Sequence, residues 1–449
     1  MQSAIFEDIN KVLEKFKQTP FAHFVQDSFI FSNLDFLILS LILILLISST
    51  VLDSSKIGFF AILIIFLSFF KLLFNKNTSI NFTKMDFLIT IYYLIVTVSL
   101  FASSNFGLSL HGYLKILVYW ALYYSLFLFF KDNRRYVLPI FFTISILATI
   151  QSAIGILQNS FGVLEISTWQ DVSKLDATEV LSRCYGTLKP YNPNLLAGYL
   201  ISTISSICLF LTLCIFKKHK KRALLFGVFL ILNFLCLFYT GCRGAYIALF
   251  AIILLTFSYF YKLTDGFKSV QKRIKTLFTS IFSAFFIIVL SMPPIYKRIL
   301  SIFLMRGDSS TSFRMNVYSA SFKMFLDNPF LGIGVGNQNF REVYGLYMKT
   351  GFDALGAYSV PLEIAVESGI FALIAFILFL ICAIQKILSY IFNSKNTVKT
   401  TILFSILIML TGTMVHGFFD TVFFRPQIQV IFWLNIAILN LFFNEKENI

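Results

Sequence analysis

The chain has 449 residues, 57% of them hydrophobic and only 13% charged, with a formal net charge of +15. A soluble domain carries about a quarter charged residues, so this composition excludes a water-soluble enzyme and specifies an all-α polytopic integral membrane protein. The positive excess lies mostly in short loops on one side, which accounts for it without nucleic acid as a partner.

Apolar stretches long enough to cross the hydrocarbon core recur about a dozen times along a single membrane domain, residues 1–449. In chain order they are Phe36–Val51, Ile57–Phe74, Phe87–Ala102, Tyr113–Phe130, Tyr136–Leu157 and Leu195–Phe216. The second half adds Ala223–Tyr239, Ala245–Tyr261, Leu277–Met292, Pro361–Ile384, Thr401–Val415 and Val430–Phe443. Upstream of the first, Met1 to about Leu34 carries charges and no cleavable signal pattern, so the first span is expected to be retained.

Lysines and arginines set the expected orientation. Lys71/Lys76/Lys84, Lys131/Arg134/Arg135, the run Lys217–Arg222, Lys262–Lys275 and Lys386/Lys395/Lys399 fall in alternate loops. Those loops, and with twelve spans both termini, are expected to be cytoplasmic. The intervening loops are nearly neutral: Asn159–Lys189 holds four acids against three bases. Two extracytoplasmic loops are long, 159–194 and 293–360. Within the second, Phe313, Val317, Ala320 and Met324 form one stripe of an amphipathic helix, Ser312 to Leu326, which Asp327-Asn328-Pro329 stops. Such a helix is expected to lie at the outer interface.

Three arginines, Arg183, Arg243 and Arg314, stand beside apolar stretches on this extracytoplasmic face. A guanidinium costs about 2.5–3.5 kcal/mol at the centre of a membrane helix, so it usually has an anionic partner. Its planar fork takes phosphate or pyrophosphate oxygens two at a time, which points to a lipid-linked substrate. Thr240-Gly241-Cys242-Arg243-Gly244-Ala245 is a tight hairpin whose glycines admit close backbone approach. Arg243 there opens a helix, where free N–H groups also favour anions. Asn192 and Asn194 flank Pro193 at the mouth of a span, either offering amides to a polar ligand or capping the helix.

Other groups have a chemical and a structural reading each. His416 and Asp420 sit at the tip of the last hairpin, as a possible base with its carboxylate or as a hydrogen-bonded helix end. Glu363 and Glu367 lie one turn apart just inside the tenth span, on one face. They either serve function or neutralise the arginines. Leu331-Gly332-Ile333-Gly334-Val335-Gly336 resembles a dinucleotide fingerprint only superficially, because it follows a helix and lacks a βαβ context. A glycine turn packed on the membrane domain is expected instead. Among the scattered cysteines, Cys184 and Cys242 both fall on the side that permits a disulfide.

With these pieces in place, the chain resembles the O-antigen ligase superfamily, which also includes polysaccharide polymerases. The resemblance rests on Thr240–Ala245, on Ser312-Phe313-Arg314 through Asp327–Gly334, and on Leu362-Glu363 with Glu367-Ser368-Gly369-Ile370. Asn192–Gly198, Ala357-Tyr358-Ser359 and His416–Pro426 are most similar to the cyanobacterial IctB-like branch. The resemblance implies an all-helical glycosyltransferase fold (GT-C-like) of about twelve spans in a bacterial plasma membrane. It further implies transfer of a glycan from an undecaprenyl-pyrophosphate carrier to a lipid or glycan acceptor, with no metal, cofactor or nucleotide sugar. Membrane lipids are the remaining partners. By the same resemblance Arg243 and Arg314 hold the pyrophosphate; from its own position Arg183 is a candidate helper, and Asn192, Asn194 and Glu367 are candidates to line the substrate. Ligases carry a His-Asn pair where this chain has Tyr358 and Ser359. Tyr358 is a poor base at an ordinary pKa of about 10, so His416, Asp420 or Glu363 is left to activate an acceptor. Two further readings stay open here: an inorganic-carbon transport or accessory protein, and a carrier-binding protein without catalysis.

Overall fold

Each predicted apolar stretch falls on a helix in the computed structural model, though three of these helices run seven to nine residues beyond the predicted bounds; the structure describes residues 2–76, 78–80, 82–162, 183–266, 268–291, 309–394 and 396–443. Three short N-terminal helices, α1 (Gln2–Lys17), α2 (Pro20–Gln26) and α3 (Phe29–Ser32), precede the bundle. The bundle then runs α4 (Leu34–Ser48), α5 (Ser54–Phe74), α6 (Lys84–Phe101), α7 (Phe106–Asp132), α8 (Val137–Phe161), α9 (Pro193–Phe216), α10 (Lys220–Tyr239), α11 (Arg243–Leu263) and α12 (Lys268–Ser291). After α13 (Ser309–Asp327) and α14 (Asn337–Tyr344) come α15 (Val360–Asn393), α16 (Thr397–Gly417) and α17 (Pro426–Asn440).

Among the described residues nine helices are long and apolar enough to cross a membrane. The other three stretches fall short for physical reasons. α4 and α17 have 15 residues each, about 22 Å at ~1.5 Å per residue, and α12 opens with Lys268, Lys272, Arg273 and Lys275. α17 does not meet lipid alone: every one of its residues is buried among other helices, Gln427, Gln429, Asn435 and Asn440 included.

α9, α16 and α17 form the centre, with α9 against α10, α16 and α8, α6 against α15, and α7 against α17. Lipid tails are as apolar as leucine, so such helices associate through close packing and side-chain hydrogen bonds rather than through exclusion of water. α9 shows both: its Ser202 and Thr203 hydroxyls donate to the carbonyls of Gly198 and Tyr199 one turn back, at 2.7 and 2.8 Å, and Ser202 Oγ accepts from Thr413 Oγ1 of α16 at 3.3 Å.

The two ends of the bundle differ in chemistry. At the lysine-rich end, Lys71 is buried between Asp35 and Asp132, at 2.7 and 2.8 Å. That lysine belongs to helix α5 and has its charge matched, so it is not a free loop cation. Nearby, Asn440 donates to Asp86 at 3.0 Å and accepts from Thr83 at 2.8 Å, tying the last helix to α6.

The opposite end carries the second long loop. Its predicted amphipathic helix is α13, whose Val317, Ala320 and Met324 are buried with Phe340, Tyr344 and Ala357 in a small core of their own. The glycine segment after it packs on the membrane helices as expected, by an unexpected device. α15 breaks at Gly369, where φ is 80° and ψ 178°, a conformation open essentially only to glycine. Residues 329–334 fill the break: Ile333 and Gly334 N–H donate to the carbonyls of Val366 and Glu367, both at 2.9 Å, and Ile370 N–H donates to Pro329 at 2.8 Å. A Cβ on Gly369 would fall inside the Phe330 carbonyl. Of the two long loops, residues 163–182 and 293–308 lie outside the described residues, with Arg298 and Arg306 among them.

Candidate functional site

Four separate elements meet at the end that bears the loop. Pro193 at the first turn of α9 pre-sets the helix, and Asn192 caps it, its Oδ1 accepting from the Asn194 N–H at 2.8 Å. This frees the Asn194 side chain for longer-range work. Its Oδ1 accepts from the Arg183 guanidinium at 2.6 Å, and its Nδ2 donates to Asp420 Oδ2 at 2.8 Å. Arg183 Nε donates to the Thr240 carbonyl at 2.7 Å, which fixes it to the hairpin between α10 and α11. From the loop side, Arg314 on α13 reaches the same Asp420 Oδ2 at 3.3 Å. The other oxygen, Oδ1, accepts from the Val422 N–H at 3.1 Å.

Two guanidiniums therefore bracket one buried carboxylate, directly for Arg314 and through Asn194 for Arg183. Arg243 is half-buried one residue beyond the hairpin, at the first position of α11. Burial works against the charge on Arg314, but Asp420 foremost among its neighbours outweighs it, and the guanidinium is held above its ordinary range. It is charged at any pH that leaves the protein folded.

The carboxylate that meets Arg314 directly and Arg183 through Asn194 is thus Asp420, not Glu363 or Glu367. Those two hold backbone instead: Glu363 Oε2 accepts from the Ala357 N–H at 2.8 Å and Glu367 Oε1 from the Gly336 N–H at 3.1 Å. Each pins a loop end to α15. Tyr358 lies between the two groups, with φ at 53°, its ring 5.7 Å from the Arg314 guanidinium carbon and edge-on to Phe313. Burial, then the charge of Asp420, pushes its phenol up. A phenolate is therefore even less accessible than in water, and Tyr358 is suited to donate a hydrogen bond and unsuited to accept a proton.

His416 does not pair with Asp420: among the described residues no hydrogen bond joins them. Its Nε2 faces Cys242 Sγ at 3.4 Å, and the imidazole edge lies 3.5 Å from where a Cβ on Gly244 would stand. The small residue lets the last hairpin pack on the α10–α11 hairpin. On the cysteine side, burial pushes the Cys242 thiol up, while His416 and Arg183 pull it down, and the net displacement is below the ordinary range. Cys184 and Cys242 form no disulfide: all six cysteines, all among the described residues, are free thiols, and the Cys184 sulfur lies 3.9 Å from that of Cys236. Neither the Cys242–His416 nor the Cys184–Cys236 contact had a sequence signal, since the residues concerned are 174 and 52 positions apart.

The many-helix bundle thus carries a cluster of half-buried guanidiniums at one end, beneath a docked loop. Residues 226–377, from within α10 to within α15, match the family model described as O-Antigen ligase. The match supports ligase- or polymerase-like glycosyl transfer in a membrane. It takes in Arg243, Arg314, Tyr358, Glu363 and Glu367, and leaves Arg183, Asn194, His416 and Asp420 outside. No curated protein matches the chain.

Proposed function

We propose that the protein moves a glycan from a polyprenyl-pyrophosphate carrier to an acceptor hydroxyl at the extracytoplasmic face, without a metal. The convergence of Arg183 and Arg314 on Asp420 beside Arg243 is the observation that carries this reading. As the bond between the sugar's anomeric carbon and the diphosphate breaks, negative charge grows on the leaving oxygens. Guanidiniums already fixed in place stabilise it without reorganisation. Asp420 occupies the arginines in the absence of substrate and gives way to phosphate oxygens.

The acceptor oxygen attacks the anomeric carbon from the face opposite the diphosphate, and its proton needs a base. Asp420 is taken up by Arg314 and Asn194, His416 faces Cys242, and Tyr358 is pushed away from ionisation. The carboxyls of α15 remain, each with one oxygen that receives no hydrogen bond among the described residues, and Glu363 is the one that holds Ala357 beside Tyr358. We assign it the proton. A transport path lacks comparable support, because the helix break at Gly369 is filled by residues 329–334 instead of opening on a ligand.

The test is transfer of a labelled glycan from a polyprenyl-diphosphate donor to an acceptor lipid by purified protein in nanodiscs. Arg243→Ala together with Arg314→Ala is expected to lower the rate at least a hundredfold, about 2.7 kcal/mol of barrier. Transfer that survives both substitutions overturns the proposal.

A further inference from the structure

Between α6, α7, α15 and α17 lies a cavity of about 120 Å³, roughly tenfold the ~10–15 Å³ that admits one water. Its walls are aromatic, with Tyr92 and Tyr93 from α6, Tyr119 from α7 and Trp433 from α17. Its charged or titratable polar groups are His111 and Lys115 from α7 and the two carboxyls of α15, Glu363 and Glu367, and Asn337, Gln338 and Gln429 add amides. Both glutamates are more than nine-tenths buried, at 3% and 7% exposure. Each gives one oxygen to a backbone N–H and has no hydrogen bond, among the described residues, at the other. The second oxygen of each opens on the cavity and meets no protein donor among the described residues, so a molecule seated there is recognised by the donors it supplies.

The mixture of groups restricts what that is. A lipid tail supplies no donor and leaves the two carboxyls bare. A phosphate meets two carboxyls at close range. An alkylammonium ion competes for them with Lys115. A neutral ring with one C–H face and several hydroxyls suits every wall: aromatic planes lie against the C–H face, carboxyls accept from hydroxyls, and His111 and Lys115 donate to them. The cavity also adjoins the arginine site. Phe423 and Phe424, in the turn that follows Asp420, line it, as does Glu363, which holds Ala357 beside Tyr358.

We propose that this cavity is a subsite for a neutral pyranose ring, the sugar that meets the reacting centre; it rests on the glycosyl-transfer reading. That ring comes either from the acceptor or from the carrier-linked glycan, and the experiment separates them.

Equilibrium dialysis of tritiated methyl pyranosides (gluco, galacto, manno and N-acetylglucosamine) against the full chain in nanodiscs free of glycoside detergent measures binding directly. At least one pyranoside is expected to bind saturably. Tyr119→Ala and His111→Ala should weaken it tenfold or more, Tyr119→Phe less than twofold, and Arg314→Ala not at all. Displacement of the pyranoside by the lipid-linked donor assigns the ring to the donor; simultaneous binding assigns it to the acceptor. No binding by any of the four, or equal binding to Tyr119→Ala and His111→Ala, overturns the subsite. If binding fails while transfer persists, the subsite alone is wrong. If pyranoside binds as expected but no glycan is transferred, the subsite stands and the glycosyl-transfer reading falls.

Discussion

Arg314 and Asp420, 106 residues apart in the chain, meet at 3.3 Å, and Asp420 is the more deeply buried of the two. The contact joins the docked loop to the last hairpin and gives the arginine an anion before any substrate arrives. A phosphate oxygen and the carboxylate compete for one guanidinium, so the pair contributes to stability and opposes binding at once.

Asp420→Asn separates these roles. It leaves Arg314 partly buried without an anion, which costs about 3 kcal/mol for one partner of a buried pair. Denaturant unfolding in detergent measures that loss. Inorganic pyrophosphate is expected to bind the variant about tenfold more tightly, ~1.4 kcal/mol, by isothermal titration. Weaker binding shows that Asp420 helps to hold the ligand.

Gly369→Ala is expected to abolish folding of the loop onto the bundle. A side chain at that backbone conformation costs about 1–3 kcal/mol, and the added carbon also collides with the Phe330 carbonyl. The control is Gly227→Ala on α10, where nothing lies within 4 Å of the new carbon. Size-exclusion profiles and yields should drop for the first variant and match wild type for the second.

Cys242 titrates below the ordinary thiol range because His416 and Arg183 oppose the effect of burial. Its thiolate fraction at neutral pH is therefore larger than that of a free thiol, and labelling of a chain with Cys242 as its single cysteine begins at lower pH. His416→Ala removes the larger of the two opposing influences, and the labelling curve should move to higher pH. Methyl methanethiosulfonate, small enough for a buried site, is the reagent; a curve that does not move shows that the histidine leaves the thiol unperturbed.

Cys184 and Cys236, with sulfurs 3.9 Å apart, are expected to form a disulfide under mild oxidation with diamide. A bond needs an approach to about 2.05 Å, which a rotamer change supplies. Peptide mapping should recover 184–236 and not 184–242. The cross-link holds Arg183 beside Thr240, so transfer activity should survive it.

The membrane helices were legible because a span is written locally, in a run of apolar residues, and the stripe Val317, Ala320 and Met324 announced α13 in the same way. The guanidinium cluster was legible in part: an arginine beside an apolar run is conspicuous on its own, and Arg183, Arg243 and Arg314 were singled out on that ground. Which anion they meet was not. Asn194 and Asp420 are 226 residues apart, and nothing in either neighbourhood favours Asp420 over Glu363 as the counter-charge. Packing decides it, through the docking of two hairpins that only the folded chain brings together. The cavity was missed for a related reason: His111 and Lys115 lie on α7, far from every motif, and acquire meaning only opposite Glu363 and Glu367.

The seam at Gly369 has a consequence for how such chains can change. Three main-chain hydrogen bonds index the loop to α15, and main chain is indifferent to the side chains it carries. The loop surface can therefore diverge widely without shifting Arg314 relative to Asp420. By the same reasoning the loop is not separable at its apparent borders. A chimaera that exchanges 309–358 alone pairs one chain's insert with another's gap, whereas an exchange of 309–370 carries both halves of the joint. Segmental inheritance in this protein follows the seam, not the membrane surface.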